Sequence, residues 1–236
     1  MKKLLVVAAV LVALAWVVFS QGRYRWHQKL TVTVETPAGE VSGSSVSAVS
    51  WRKHWIQTDG MGWSLDVTGE AVVVEVAPGR FLFALLKGAG TTEYMGSVAA
   101  ASISGREGRV IDGALFAEVQ GKRGRAAGVI AVPEGQYPML VTFEDISDPA
   151  SVRLVDPGDL AASFGPGVRL KAVTLEVTEG AVTEGRVAGF LGWLIGAEFI
   201  VPPEMQPELL EDTTTEQRLM PSDFIDWRTL RSLRQQ

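Results

Sequence analysis

From Leu30 to Glu35 the chain reads LTVTVE, apolar and polar residues alternating through β-branched side chains. Period-two alternation of this kind predicts a half-buried strand. Thr36-Pro37-Ala38-Gly39 follows as a turn, and residues 40–51 continue with small and β-branched residues, so a second strand is predicted to pair with the first. Gly43-Ser44-Ser45 in its middle marks a bulge or a close backbone approach. Residues 71–77 and 80–86 flank Pro78-Gly79, the pattern of a tight hairpin. Residues 81–86, FLFALL, are apolar on both faces, which predicts a central strand covered on both sides.

Further strands are predicted over 110–119 and 125–132, paired across Gly121-Lys122-Arg123-Gly124, and over 138–144 and 168–177. The Ala-rich stretch 92–104 predicts a short helix ended by Gly105. Roughly eight or nine strands with short helical pieces define a mainly β chain, a β-sandwich or open barrel with short helices, preceded by one N-terminal transmembrane helix. Residues 187–197, VAGFLGWLIGA, are apolar but too short to span a bilayer, and Glu198 closes them. A buried core segment is favoured there over an exposed patch. Beyond Val201, Pro202, Pro203 and Pro207 lead into Glu, Asp and Thr, an extended tail. A terminal helix over 222–234 is expected to dock on the domain, with Trp227, Leu230 and Leu233 on one side. The chain thus divides into a segment 1–28, a β-rich domain 29–201 and a tail 202–236.

In DPASVRLVDPGDLAASFGPG, residues 148–167, each Asp, Pro and Gly has a local structural task. Asp156 suits an N-cap, Pro157 the first helical position and Asp159 the first turn, where negative charge meets the helix dipole. Leu160 and Phe164 share a face, and Gly165-Pro166 stops the helix. Asp148-Pro149 starts a shorter turn in the same way. A calcium loop does not fit, because Pro157-Gly158 interrupts the alternating ligand positions. The wider stretch 138–185, PMLVTFEDISDPASVRLVDPGDLAASFGPGVRLKAVTLEVTEGAVTEG, resembles a segment of small uncharacterised bacterial proteins that carry one N-terminal hydrophobic segment. The resemblance covers about a fifth of the chain and implies no activity, ligand or catalytic residue.

The N-terminus carries the strongest localising signal. Lys2 and Lys3 precede an uncharged run of sixteen residues, Leu4 to Phe19. As a helix it would measure about 24 Å at ~1.5 Å per residue, near the lower limit for crossing a hydrocarbon core of ~30 Å. Trp16 near its end and Arg23, Tyr24, Arg25 and Trp26 just beyond it fit the membrane–water interface. No A-x-A cleavage site follows, and an uncleaved single-pass anchor in the bilayer through residues 4–20 is favoured over a signal peptide cut near Ser20. Basic residues flank the run on both sides and do not fix its direction. Likeness to an export signal places the main domain outside the cytoplasm.

Composition narrows the chemistry. The formal net charge of −5 argues against a nucleic-acid partner. There is no Cys, and His27 and His54 are the two histidines, so thiolate nucleophiles, Cys-based zinc sites and His-rich metal sites are excluded. No cofactor and no metal are expected. The most site-like stretch holds Trp51, His54, Trp55 and Trp63, whose rings could stack on a sugar, although packing of the tryptophans in the core is favoured. Gly88-Ala89-Gly90 fails the dinucleotide fingerprint because Glu93 stands where the third Gly belongs. Neither G-x-S-x-G nor H-E-x-x-H occurs. Arg106, Arg109, Lys122, Arg123 and Arg125 cluster near predicted turns and read as solvated tips. The leading expectation is a membrane-anchored extracytoplasmic β-domain that acts by binding or envelope organisation, without catalysis, with an envelope protein or glycan as partner. The alternatives are an exported carboxylate-dependent hydrolase and a sugar-binding module, both acting on envelope polymers.

Overall fold

The computed structural model describes residues 22–54, 62–88, 93–122, 128–198, 200 and 219–235. In chain order these form β1 Arg23–Thr36, β2 Gly39–Lys53, β3 Trp63–Thr68, β4 Val72–Ala77, β5 Arg80–Gly88, α1 Tyr94–Ser104, α2 Gly113–Gly121, β6 Ile130–Ala131, β7 Pro138–Phe143, β8 Val152–Leu154, α3 Leu160–Phe164, β9 Arg169–Thr178, α4 Arg186–Phe190, α5 Pro221–Phe224 and α6 Trp227–Leu233. The fold is mainly β and built from two antiparallel sheets, one ordered β3-β2-β1-β9-β6 and the other β4-β5-β7-β8. Residues 1–21, with the expected anchor and Trp16, lie outside the described residues. Among the described residues no helix is long and apolar enough to cross a membrane. Arg23 to Gln28, grouped with the anchor on sequence, belong to β1.

The expected pairing of the first two strands is present and longer than the pattern suggested. β1 pairs β2 from Arg23↔Arg52 to Thr36↔Gly39. Along β1, Trp26, Gln28, Leu30, Val32 and Val34 are buried and the residues between them are half-buried, as alternation requires. Pairing runs unbroken through Val32↔Gly43, so Gly43 is a close approach and not a bulge. A Cβ there would lie 2.1 Å from the Val73 carbonyl oxygen. The small inward residues Gly43, Ser45 and Ser47 let β4 of the second sheet come to backbone contact, and Ser45 Oγ donates to the Glu70 carbonyl at 2.7 Å.

At the other end of β2 the sheets are held by α1. Its residues 94–101 are all buried. Trp51 Nε1 donates to the Gly96 carbonyl at 2.7 Å, and Gln28 Nε2 donates to the Met95 carbonyl at 2.7 Å. A Cβ on Gly96 would meet the Leu65 methyls at 2.6 Å, so a larger residue there would push the Leu65 side chain aside. One apolar cluster gathers the inward side chains of both sheets with α1 and α2. A second lies on the far face of the four-stranded sheet, where Phe83, Leu85, Val141 and Phe143 meet Val187, Leu191, Leu194, Phe224, Ile225 and Leu230. The 187–197 stretch is therefore a core segment in its apolar positions, although Phe190 stays 38% exposed.

Four local expectations change. Residues 110–119 do not form a strand: Asp112 caps α2, accepting from Ala114 N at 2.9 Å, and Phe116 and Val119, three apart, share its buried face. Of 125–132, Ile130 and Ala131 form β6 against β9, and 123–127 lie outside the described residues. The helix expected from Asp156 starts after Asp159, whose side chain accepts from Ala162 N at 3.1 Å. Asp156 instead accepts from Gly158 N at 2.8 Å and forms a turn, while Asp148 caps Ala150 N at 2.9 Å. The terminal helix is two helices, α5 and α6, broken where Ile225 bridges Glu70 and Asp226 caps α6. Two short strands, β3 and β8, had no sequence signal strong enough to separate them from loops.

Candidate functional site

The described aromatic residues singled out on sequence converge on α2. Tyr24, Trp26, Trp51 and Trp63 surround Phe116, with Trp51 stacked on it at 5.0 Å and 13° between planes. Trp51 is 1% exposed, and its ring stands at 86° to Trp63, so these two do not form an exposed coplanar pair. Trp26 is buried and Tyr24 half-buried, while Arg23 and Arg25, one residue out of phase along β1, are exposed. His54 is exposed, with its backbone N–H donating to the Gly62 carbonyl at 2.8 Å. Trp55 lies outside the described residues.

A concave surface lies nearby. A cleft of about 600 Å³ opens between the edge strand β3, the end of β5, the start of α1 and the docked segment 220–227. Apolar walls come from Trp63, Leu65, Leu86, Met95, Met220 and Trp227, the last 54% exposed. Polar groups come from Ser64, Asp66, Lys87, Glu93, Ser222, Asp223 and Asp226. A volume of this size suits a small ligand or a short stretch of a larger one.

The carboxylates around it differ in their commitments. Asp226 holds structure: it accepts from Gly69 N, Arg228 N and Thr229 N at 3.0, 3.0 and 3.1 Å, tying the C-terminal segment to the β3–β4 junction. Asp66 pairs with Arg228 at 2.8 Å, and Glu93 pairs with Arg109. Asp223 is set deeper than Asp66 and Glu93. Burial pushes its carboxyl above the usual range, against the opposing pull of Lys87 and the Met220 N–H. Lys87 Nζ lies 3.9 Å away and is itself nearly buried, at 4% residue exposure. A buried ammonium and a half-buried carboxyl face each other in one wall of the recess. Such a pair can orient a polar ligand group or exchange a proton with it. Among the described residues no group of three His, Asp or Glu side chains is placed to hold a metal ion.

Sequence reasoning missed this recess because it is assembled from distant segments. Lys87 lies just past the strand predicted over 80–86, while Met220, Ser222 and Asp223 belong to what reads as a tail. Their convergence follows from docking of Phe224, Ile225 and Leu230 on the four-stranded sheet. Comparison of the chain with protein-family models, curated proteins and solved structures finds no match.

Proposed function

We propose that the protein is a single-pass, membrane-anchored domain of β-sandwich architecture that stands outside the cytoplasm and acts by binding. The cleft bounded by Trp63, Lys87, Asp223 and Trp227 receives part of an envelope protein or glycan, and the apolar run 4–20 holds the domain at the bilayer. The observation that carries this reading is the cleft itself. It brings apolar walls together with converging polar groups, Lys87 buried among them, in a concavity large enough for a ligand group. A photo-crosslinking residue placed at Ser222 of the full-length chain in intact cells tests it. A discrete adduct at Ser222 that is absent when the same residue replaces Val129, an exposed position outside the cleft, supports binding there. Identical labelling at both positions, or none at Ser222, overturns it.

A second reading, an exported hydrolase acting on envelope polymers, draws on Asp223. A carboxyl with its pKa raised by burial can donate a proton to a leaving group, and other carboxylates line the same recess. Under this reading Asp223→Asn abolishes turnover of an envelope polymer without weakening its binding. If the wild-type protein turns over no such polymer, the hydrolase reading fails and the binding reading stands.

A further inference from the structure

We propose that the end of the five-stranded sheet where β1 begins and β2 ends docks on anionic lipid headgroups. The inference rests on the anchor reading and adds to it a defined protein surface and a defined lipid charge. Two observations carry it. The first is the tether. Phe19 ends the apolar run, and the chain is already fixed at Gly22, whose carbonyl accepts from Lys53 N at 2.7 Å. Between Phe19 and Gly22 the chain can reach at most roughly 11 Å, at ~3.8 Å per Cα step. The headgroup layer of one leaflet is itself about 5–8 Å thick. A membrane-embedded run therefore brings this strand end to the headgroups.

The second observation is charge. Arg23, Arg25, Arg52 and Lys53 are exposed at this end. Arg23 stands directly opposite Arg52 across the β1–β2 ladder, a like-charge pairing that disfavours the sheet unless a counter-charge is supplied. None of the four forms an ion pair with a described carboxylate. Eight other described Lys and Arg side chains do so, namely Lys87, Arg106, Arg109, Lys122, Arg153, Arg169, Lys171 and Arg228, whereas Lys29, Arg80, Arg231 and Arg234 do not. The opposite end of the same strands is neutralised, with Glu35 against Arg169 and Glu40 against Lys171. A chain of net charge −5 thus keeps uncompensated positive charge at the end the tether presses toward the bilayer. Anionic headgroups within a Debye length of about 10 Å supply the missing counter-charge.

The test uses the full chain reconstituted in bilayers. Because the chain has no Cys, single substitutions Ser64→Cys, at the proposed docking end, and Ala38→Cys, at the far turn, can each carry one dye. The two positions stand about 45 Å apart along β1, at ~3.4 Å per residue. Energy transfer to a headgroup-labelled lipid is read in phosphatidylcholine bilayers with and without phosphatidylglycerol. Because the tether keeps this end near the bilayer in either lipid, transfer from Ser64→Cys is expected to rise modestly with phosphatidylglycerol, as the basic face closes on the headgroups, and to return to the zwitterionic level in about 0.5 M salt, where screening is short-ranged. This rise is also expected to be lost in the combined variant Arg23→Glu, Arg25→Glu, Arg52→Glu, Lys53→Glu. Ala38→Cys stays low throughout. The salt titration decides the matter on the unmodified surface should the charge-reversed variant not fold. Transfer from Ser64→Cys that ignores lipid charge and salt overturns the docking while leaving the anchor in place. Release of the chain by an alkaline wash overturns the anchor reading, and with it the tether on which the docking rests.

Discussion

In the five-stranded sheet, β1 sends Trp26, Leu30, Val32 and Val34 into the core and leaves Thr31 and Thr33 half-buried on the outer face. In the four-stranded sheet, β5 sends Leu82, Ala84 and Leu86 toward the first sheet and Phe83 and Leu85 toward the C-terminal helices, so both faces are core. The two sheets show what covering does to a sequence. Cover on one side preserves alternation and leaves room for Ser and Thr outside. Cover on both sides replaces alternation with a continuous apolar run. It also makes the four-stranded sheet depend on segments distant in sequence, since Val187, Leu191, Phe224 and Leu230 supply its second cover.

That comparison can be broken by substitution. Phe83→Ala, on the twice-covered sheet, should lower stability by about 3–5 kcal/mol in urea unfolding, because a fully buried ring leaves a cavity. A loss under ~1 kcal/mol would mean that the C-terminal cover is not packed as described. Gly43→Ala should cost about 1–3 kcal/mol by forcing β2 away from the Val73 carbonyl, seen as a lower Tm; a neutral outcome would show that the sheets do not touch there. Asp226→Ala should cost about 1–2 kcal/mol, since it removes the α6 cap and the tie to Gly69 N, and should raise hydrogen exchange in 219–235 before the sheets.

A smaller effect depends on pH. Burial raises the Glu70 carboxyl above its ordinary value of 4.5, with the N–H groups of Val187 and Arg186 pulling the other way. The folded chain then holds this proton more tightly than the unfolded chain does. The contribution of Glu70 to stability is therefore fully present below the unfolded value and is lost as pH rises through the folded one. Glu70→Gln removes the titration, so its stability relative to the native chain should improve as pH rises from about 4.5; a difference that is flat with pH would contradict the burial. Smallest of all, Thr31→Ala on the outer face should shift stability by less than ~0.5 kcal/mol, the control that separates the once-covered from the twice-covered sheet.

The candidate site was far less legible than the sheets. Trp51 and Trp63 stood out because tryptophan beside Arg and His can mark a ligand platform, yet Trp51 spends its ring on Phe116 and its Nε1 on α1. Nothing in the run FLFALLK marks Lys87 as the partner of Asp223, because that pairing spans most of the domain. The segment 110–119 misled for a related reason. Its apolar content suits strand or helix alike, and the Asp112 cap together with the contact of Phe116 with three tryptophans decides for helix.

What the sequence determined by itself was local: the pairing of the first two strands about their turn, the Pro78-Gly79 turn, the helix closed by Gly105, the cap at Asp148 and the stop at Gly165. Each depends on backbone preferences and side-chain period within a few residues, which neighbours in space do not overturn. Tertiary structure alone decided that Gly43 is where two sheets touch, that α1 lies between them, and that the segment 219–235 closes the second core and shapes the cleft. These follow from which apolar faces find each other, and burial of apolar area favours any complementary cover, however far apart its parts lie in the chain.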